Sequence, residues 1–258
     1  MRIIVVASPQ SPLAAEVAGR IRRAADELGV EVADGDAAPG DVMVAVGGDG
    51  TVLHALGAAL EAGIAVLGIN VGTVGFLAEV LPDDAEEAVA RLAAGRYTET
   101  TRMTAAVEGP AGGVTVFNDV VLRKADASRA FQAEVSISGE KLTVFRADGV
   151  VVATPTGSTA YAFSAGGPVV DPSMEAFVIV PVAPHNLFGR PVVASAGDTI
   201  TMTLAGRPGH LDVDGIYIGE VAAGQTVKIQ RGSRPARFVT LTGDGFLSVL
   251  RARFGIAP

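Results

Sequence analysis

The chain of 258 residues contains no cysteine, which excludes disulfides, thiolate metal sites and a cysteine nucleophile. Its three histidines are scattered, and their spacing does not predict a metal site. It also lacks any apolar run near the roughly 18 residues that a membrane span requires. The apolar run in MRIIVVASPQ is too short for a signal peptide and favours a first strand. We therefore expect a cytoplasmic protein with no membrane partner.

Positive charge is scarce, because 20 Lys and Arg stand against 28 Asp and Glu, a formal net charge of −8. No cluster of Lys and Arg stands out, which argues against nucleic acid as a partner. A phosphate-bearing ligand would therefore be bound by backbone N–H groups, by a few placed cations or by a metal ion. With 49% hydrophobic residues, the composition is that of a globular protein with one large or two modest domains.

The first hundred residues alternate strand patterns with helix patterns. Apolar runs predict strands at Ile3–Ala7, Val42–Val46 and Ile64–Ile69, and apolar periodicity predicts helices at Ser11–Leu28, from the glycines to about Ala62, and at Asp83–Ala94. Strands that alternate with helices indicate a parallel sheet. We expect an α/β domain over residues 1–98.

After about Thr98 the pattern changes to runs rich in Thr, Val and Gly with frequent turn signals. Residues 131–145 predict a hairpin around Ser138-Gly139-Glu140. Few helices fit this part of the chain. We expect a β-rich domain over residues 99–239, built as a sandwich or as stacked sheets. Asp-Gly recurs at Asp49, Asp148, Asp214 and Asp244, and each pair is typical of a turn.

The stretch VGGDGTV (46–52) joins a strand to a helix through a glycine-rich turn. This geometry directs backbone N–H groups at phosphate oxygens, although the pattern is neither a P-loop nor the GxGxxG fingerprint. Asp49 would repel a phosphate, so we expect it to accept a proton from an attacking hydroxyl or to help hold Mg²⁺. The alternative is a plain strand-to-helix turn in which Asp49 or Thr51 caps the helix.

A second polar glycine loop lies in ADGVVVATPTGSTAYAFSAGGP (147–168). Its hydroxyls and exposed N–H groups can bind sugar and phosphate without positive charge. TGSTA is not the GxSxG nucleophile elbow. A long polar loop after a buried strand is more often functional than structural.

With these motifs the chain resembles the NAD kinases, which transfer a phosphoryl group from ATP or polyphosphate to the 2′-hydroxyl of the adenosine ribose of NAD. The resemblance rests on GGDGT (47–51), LGINVGTVGFLAE (67–79), FNDVVL (117–122), RADGVVVATPTGSTAYAFSAGGPVV (146–170) and VAPHNLFGRPVV (182–193). It implies an N-terminal Rossmann-like α/β domain and a C-terminal β-sandwich-type domain. It also implies that residues 240–258 pack back on the first domain, and that the protein is a homodimer or homotetramer.

The resemblance assigns site residues by matching motif. It implies Asp49 as the catalytic base. It implies NAD or nucleotide contacts from Gly48, Gly50, Thr51, His54, Asn70, Asn118, Asp119, Arg129, Arg146, Asp148, Ser158, Thr159, Ala160, Tyr161, Ser164 and Ala183. No residue is assigned as a metal ligand, and Mg²⁺ or another divalent metal would accompany the phosphoryl donor.

Four positions depart from the family pattern. Asp119 replaces the commoner Glu, and Ile216 stands where Gln is frequent. Arg129 stands where some relatives have His, and His54 where many carry Arg or Lys. Two other functions stay open. A non-catalytic NAD(H)-binding sensor on the same scaffold should have lost Asp49, and a lipid kinase of the same superfamily should have an apolar channel. The sequence leaves open the donor, the preference for NAD or NADH, the oligomer size and any regulator.

Overall fold

A computed structural model of the protein describes residues 1–33, 37–72, 75–110, 112–126, 131–241 and 245–256. The chain divides into two compact units, Met1–Thr101 with Ala236–Pro258, and Arg102–Pro235. None of the helices formed by the described residues combines the length and the hydropathy needed to cross a membrane.

The described residues form eighteen strands and five α-helices. In chain order they are β1 (Arg2–Ala7), α1 (Pro12–Glu27), β2 (Glu31–Val32), β3 (Val42–Gly47), α2 (Asp49–Ala62), β4 (Ala65–Asn70), α3 (Ala85–Ala93), β5 (Thr98–Arg102), β6 (Ala105–Gly109), β7 (Gly112–Val116), β8 (Asp119–Lys124), β9 (Phe131–Ile137), β10 (Glu140–Ala147), β11 (Gly149–Ala153), α4 (Tyr161–Ser164), β12 (Ala176–Val182), β13 (Val192–Ser195), β14 (Ile200–Ala205), β15 (Gly209–Val213), β16 (Ile216–Val221), β17 (Thr226–Arg231), β18 (Ala236–Thr240) and α5 (Phe246–Phe254). Short 3₁₀ turns precede α3, at Pro82–Asp84, and α4, at Thr156–Thr159.

The first unit is built on a six-stranded sheet in the order β2-β1-β3-β4-β18-β5. The pairs from β2 to β18 are parallel. Every residue of β3 and β4 is buried, as expected for strands covered on both faces. The parallel α/β prediction is confirmed. The helix predicted at Asp83–Ala94 begins instead as the 3₁₀ turn and becomes α-helical only at Ala85.

The C-terminal part of the chain returns to the sheet of the first unit. β18 pairs with β4 through Arg237 with Ala65 and Phe238 with Val66. Val239 and Leu241 join the apolar core beneath that sheet. The return therefore begins at Ala236, four residues before the 240–258 segment expected from the sequence.

The second unit is a sandwich of two six-stranded antiparallel sheets, ordered β10-β9-β14-β17-β6-β7 and β13-β12-β11-β8-β15-β16. One apolar core takes side chains from the facing strands of both sheets, which confirms the predicted fold class. The predicted hairpin is β9–β10. Ser138 and Gly139 form its two-residue turn with φ of 49° and 84°, which is the conformation that matches the twist of antiparallel strands.

Candidate active site

The glycine loop joins β3 to α2, and Gly48 is the N-cap of the helix without a side chain to cap it. Asp49 is the first helical residue, so the alternative interpretation, in which Asp49 or Thr51 caps the helix, is wrong. The side chain of Thr51 lies against Gly47 instead, where a Cβ would come within 2.1 Å of the Thr51 hydroxyl oxygen. Gly47 is therefore required by the packing of Thr51.

Gly48 and Gly50 have no such internal reason to be glycine. The φ of Gly48 is −89°, and neither residue is among the glycines with positive φ. A Cβ added at either position would meet no described atom within 4 Å. Both residues are exposed. The open space lies at the end of α2 where unpaired N–H groups and the helix dipole favour an anion, which supports a phosphate site over a plain turn.

The carboxylate of Asp49 is held by backbone N–H groups from the segment after β4. The Phe76 N–H donates to Oδ2 at 3.0 Å, and the Leu77 N–H donates to Oδ1 at 3.1 Å. The carboxylate lies directly over Gly75, where a Cβ would be 2.0 Å from Oδ1. Two backbone amides therefore fix one orientation of this side chain.

Asn70 and His54 differ in their surroundings within the same unit. Asn70 ends β4 beside Gly47 of β3, and its side chain is buried with Oδ1 accepting the Gly72 N–H at 3.0 Å. It therefore shapes the chain that follows β4 at the carboxyl edge of the sheet. His54 is exposed on the second turn of α2.

A cavity of about 430 Å³ opens in the second unit, and four of the predicted contact residues line it: Asn118, Asp119, Ala160 and Tyr161. Asp214 lines the same cavity. Arg123 and Asp212 form an ion pair on the cavity wall. Tyr161 is 42% exposed, so its ring is available to a ligand. The cavity thus combines an aromatic ring with carboxylate, amide and guanidinium groups.

Asp119 is a buried acid in this cavity. Its side chain accepts the backbone N–H of Tyr161, but burial and the negative charges of Asp214 and Asp212 raise its pKa from 3.8 to about 7. Burial also raises the pKa of Asp214, against the effect of three backbone hydrogen bonds. A substantial part of Asp119 is therefore protonated near neutral pH and can donate as well as accept a hydrogen bond.

The raised pKa of Asp119 predicts how folding stability changes with pH. Between about pH 4 and pH 7 the folded protein holds a proton that the unfolded chain releases, so stability falls as pH rises through this range. Asp119→Asn removes this term. Relative to the native protein, the variant should gain stability from pH 4 to pH 8 by up to about 4 kcal/mol. Urea unfolding at several pH values measures the difference.

Asp171→Asn is the control for this experiment. Hydrogen bonds from Ser173 lower the pKa of Asp171, so its titration lies below the pH range of interest. Its stability difference from the native protein should stay constant between pH 5 and pH 8. Parallel curves for the native protein and Asp119→Asn would contradict the raised pKa.

The TPTGSTAY loop is folded against the start of β8. Thr154 donates its N–H to the Asn118 carbonyl at 2.8 Å and its hydroxyl to the Phe117 carbonyl at 2.6 Å. A Cβ at Gly157 would be 2.1 Å from the Asn118 carbonyl oxygen. Ser158 is fully buried, and its hydroxyl exchanges hydrogen bonds with the backbone of Val170. These contacts give the loop a defined shape.

The structure separates the remaining predicted residues from the cavity lining. The Thr159 hydroxyl donates to the Thr156 carbonyl within the same 3₁₀ turn. Ser164 is exposed at the end of α4. The β10–β11 turn brings together Arg146, Asp148 and Ala183. The Asp148 N–H donates to the Val182 carbonyl, and the His185 N–H donates to the Arg146 carbonyl. Arg129 lies outside the described residues.

Two members of this turn group have notable geometry. The Asp148 carboxylate pairs with the Lys124 ammonium at 2.6 Å. Ala183 has a φ of 46°, in the left-handed region that a residue with a Cβ rarely adopts. Such strain occurs often at functional sites, so Ala183 stays a candidate contact on its backbone.

Sequence reasoning missed Asp214, Gly75 and Thr154. Asp214 belongs to an Asp-Gly pair that was interpreted as a turn, and Gly75 and Thr154 lie inside motifs whose roles were assigned to neighbours. The only sequence signal for Asp214 was that its Asp-Gly pair directly precedes Ile216, where the family pattern often has Gln. Over the described ranges, no three His, Asp or Glu side chains are grouped closely enough to hold a metal by themselves.

An open helix N-terminus after a glycine loop, on a parallel α/β sheet, is typical of proteins that bind phosphate-bearing ligands. Two family models match the chain: the ATP-NAD kinase N-terminal domain over residues 30–97 and the ATP-NAD kinase C-terminal domain over residues 117–241. NAD kinase 2 of Streptomyces coelicolor is 38% identical over 223 residues, which cover 84% of this chain and 74% of the relative. NAD kinase of Methanothermobacter thermautotrophicus is 37% identical over 225 residues, which cover 86% and 78%. The chain belongs to the NAD kinase family.

Solved structures agree with this assignment. An NAD kinase from Archaeoglobus fulgidus in complex with ATP is 27% identical with a TM-score of 0.79, over 99% of this chain and 98% of that chain. Yeast NADH kinase in complex with NADH has a TM-score of 0.85 at 21% identity, over 99% and 88%, and this likeness concerns the fold alone.

Proposed function

We propose that this chain is an NAD kinase, which transfers the γ-phosphoryl group of ATP to the 2′-hydroxyl of the adenosine ribose of NAD and gives NADP. The observation that carries the proposal is the Asp49 carboxylate, fixed by two amides at the open N-terminus of α2. Relatives named NAD kinase over most of the chain support the same reaction. Retention of Asp49 favours an enzyme over a sensor.

In the proposed reaction the 2′-oxygen attacks the γ-phosphorus. A new O–P bond forms, the bond from that phosphorus to the β–γ bridging oxygen breaks, and ADP leaves. The hydroxyl proton passes to Asp49, directly or through a water. A loose transition state for phosphoryl transfer needs little early deprotonation, so positioning should matter more than basicity. Gly48 and Gly50 would let phosphate oxygens approach the N–H groups of α2.

Mg²⁺ or another divalent metal fits the donor set of the chain. Each oxygen of Asp49 accepts one N–H and keeps a lone pair, so this carboxylate can fill one coordination position. Mg²⁺ is commonly held by one or two carboxylates together with substrate phosphates, which matches a chain without a three-residue cluster among its described residues. The metal would neutralise charge on the phosphates of the donor.

We propose that the cavity of the second unit receives the adenosine part of NAD. Tyr161 offers a face for stacking, and Asn118 and Asp119 offer hydrogen-bonding groups to the base or ribose. The charged groups in the lining, which include the Arg123–Asp212 ion pair, disfavour the acyl chain of a lipid substrate. We assign Ser158 a structural role and not a contact with NAD, because its hydroxyl is hydrogen-bonded to the backbone of Val170.

We further propose that polyphosphate can serve as a second donor. We also propose that the protein is cytoplasmic and forms a homodimer or homotetramer. The apolar run of Ile3–Ala7 lies within β1. The edge strand β13 carries Val193 at 54% exposure, and exposed Leu187 and Phe188 precede it. Exposed apolar groups near a sheet edge favour association between copies. Analytical ultracentrifugation measures the oligomer size.

The first experiment measures NADP formation by the purified protein with NAD and Mg²⁺, in parallel with ATP and with polyphosphate. An NADP-specific dehydrogenase reports the product, and NADH replaces NAD in a third arm. We expect NADP with ATP and none after chelation with EDTA. Binding of NAD without product from either donor would contradict the kinase and favour the sensor.

A further inference from the structure

Asp214 lies in a tight turn, but the turn alone does not explain why its side chain is buried. It follows β15, and the pairing of Val213 with Ile216 leaves Asp214 and Gly215 as a two-residue hairpin loop. Their φ values of 49° and 79° are those of the turn type that favours Asp-Gly. In an ordinary hairpin the Asp side chain faces water. Here it is largely buried and lines the cavity.

The buried carboxylate collects three successive backbone N–H groups. Oδ2 accepts from Phe117 at 2.9 Å, and Oδ1 accepts from Asn118 at 2.6 Å and from Asp119 at 3.1 Å. The backbone of Asp214 adds a fourth bond, in which its N–H donates to the Asp119 carbonyl at 2.9 Å. Four hydrogen bonds thus join the β15–β16 turn to the residues that begin β8.

This arrangement works against stability, because a carboxylate is buried beside Asp119 and burial raises the pKa of Asp214. Unfavourable local features that persist in a folded protein are found most often where function needs a defined shape.

We propose that Asp214 is a positioning residue of the NAD site, which holds the backbone of residues 117–119 and acts on NAD through Asn118 and Asp119. This inference rests on the proposed function. Both lone pairs of Oδ1 are used by Asn118 and Asp119, so the carboxylate is occupied mainly by the chain. Thr154 and Gly157 hold the same stretch from the other side through the carbonyls of Phe117 and Asn118.

The test compares Asp214→Asn with the native enzyme in steady-state kinetics. The amide keeps one acceptor but sets an NH₂ group against backbone donors, so residues 117–119 lose their fixed position. We expect the KM for NAD to rise on the order of tenfold, the effect of one hydrogen bond to a charged group. The kcat and the KM for ATP should change less than about twofold, since bonds to the NAD-binding segment alone are altered.

A double-mutant cycle with Asn118→Ala separates positioning from direct contact. If Asp214 acts through Asn118, Asp214→Asn should raise the KM for NAD much less in the Asn118→Ala background than in the native one. Equal rises in the native, Asn118→Ala and Asp119→Asn backgrounds would overturn the proposal and indicate a direct contact with NAD. An unchanged KM for NAD in Asp214→Asn would overturn it as well.

Asp198→Asn is the matched control, because Asp198 also caps a loop of this unit, through Ser195 N–H at 3.0 Å and the Ser138 hydroxyl at 2.8 Å. It should leave the KM for NAD unchanged. If Asp214→Asn does not fold, Asp214→Glu keeps the charge but displaces the backbone, and an unchanged KM for NAD there overturns the proposal. Failure of the native protein to form NADP would instead reject the proposed function.

Discussion

Replacing Asp49 by asparagine is expected to reduce kcat for NADP formation by at least about 100-fold, the contribution typical of a positioned proton acceptor. Asparagine keeps the size of the side chain but cannot take the proton of the 2′-hydroxyl. Its NH₂ group also faces one of the two N–H groups that now donate to the carboxylate. NAD affinity, measured by isothermal titration calorimetry, should stay within about threefold of the native value, because the adenosine cavity is unaltered.

Two comparisons make the Asp49 result specific. Asp198→Asn, the same exchange at a loop-capping carboxylate of the other unit, should leave kcat unchanged. A titration with Mg²⁺ separates the two roles that the sequence left open for Asp49. Partial recovery of kcat at high Mg²⁺ would indicate a metal ligand, whereas no recovery favours the proton acceptor. Near-native turnover in Asp49→Asn would reject both roles.

Replacing Gly75 by alanine should reduce kcat by roughly 10- to 100-fold without touching a reacting group. The added Cβ would lie 2.0 Å from Asp49 Oδ1, so the carboxylate must leave the Phe76 and Leu77 amides. Asp49 stays chemically intact but loses its fixed orientation. Turnover is measured by the coupled NADP assay, and folding by thermal denaturation.

Gly57→Ala is the control for this substitution. Gly57 is exposed in the middle of α2, and a Cβ there meets no described atom within 4 Å. The alanine should raise stability by up to about 1 kcal/mol through helix propensity and leave kcat as it is. A Gly75→Ala variant with native kcat would show that the orientation of Asp49 is not required. Loss of folding in that variant would instead make Gly75 a structural residue.

Local patterns predicted the elements of the first unit well. The helix from the glycines to Ala62 is α2, and the helix at Ser11–Leu28 is α1 with its two capping residues. Apolar runs gave the buried strands because both faces of a parallel sheet are covered by helices. The prediction failed at the ends of elements. Pro82 starts a 3₁₀ turn ahead of α3, whereas the sequence predicted a helix from Asp83.

The candidate site was predicted less completely than the fold. The family motifs predicted contacts from Asn118, Asp119, Ala160 and Tyr161, and these four residues line one cavity of the structure. Asp214 lies outside every motif that carries the family resemblance. Its importance follows from strand pairing, because the register of β15 on β8 sets Val213 opposite Val120 and carries the next residue to the start of β8.

The sequence by itself determined the alternation of strands and helices, the absence of thiol chemistry and the motifs of the NAD kinase family. These are properties of neighbours along the chain, and a periodic pattern or a short motif records them directly. Tertiary structure alone decided that Gly75 makes room for Asp49 and that Asp214 holds residues 117–119. The partners are 26 to 97 residues apart, and their contact depends on strand register and backbone closeness that no local pattern records.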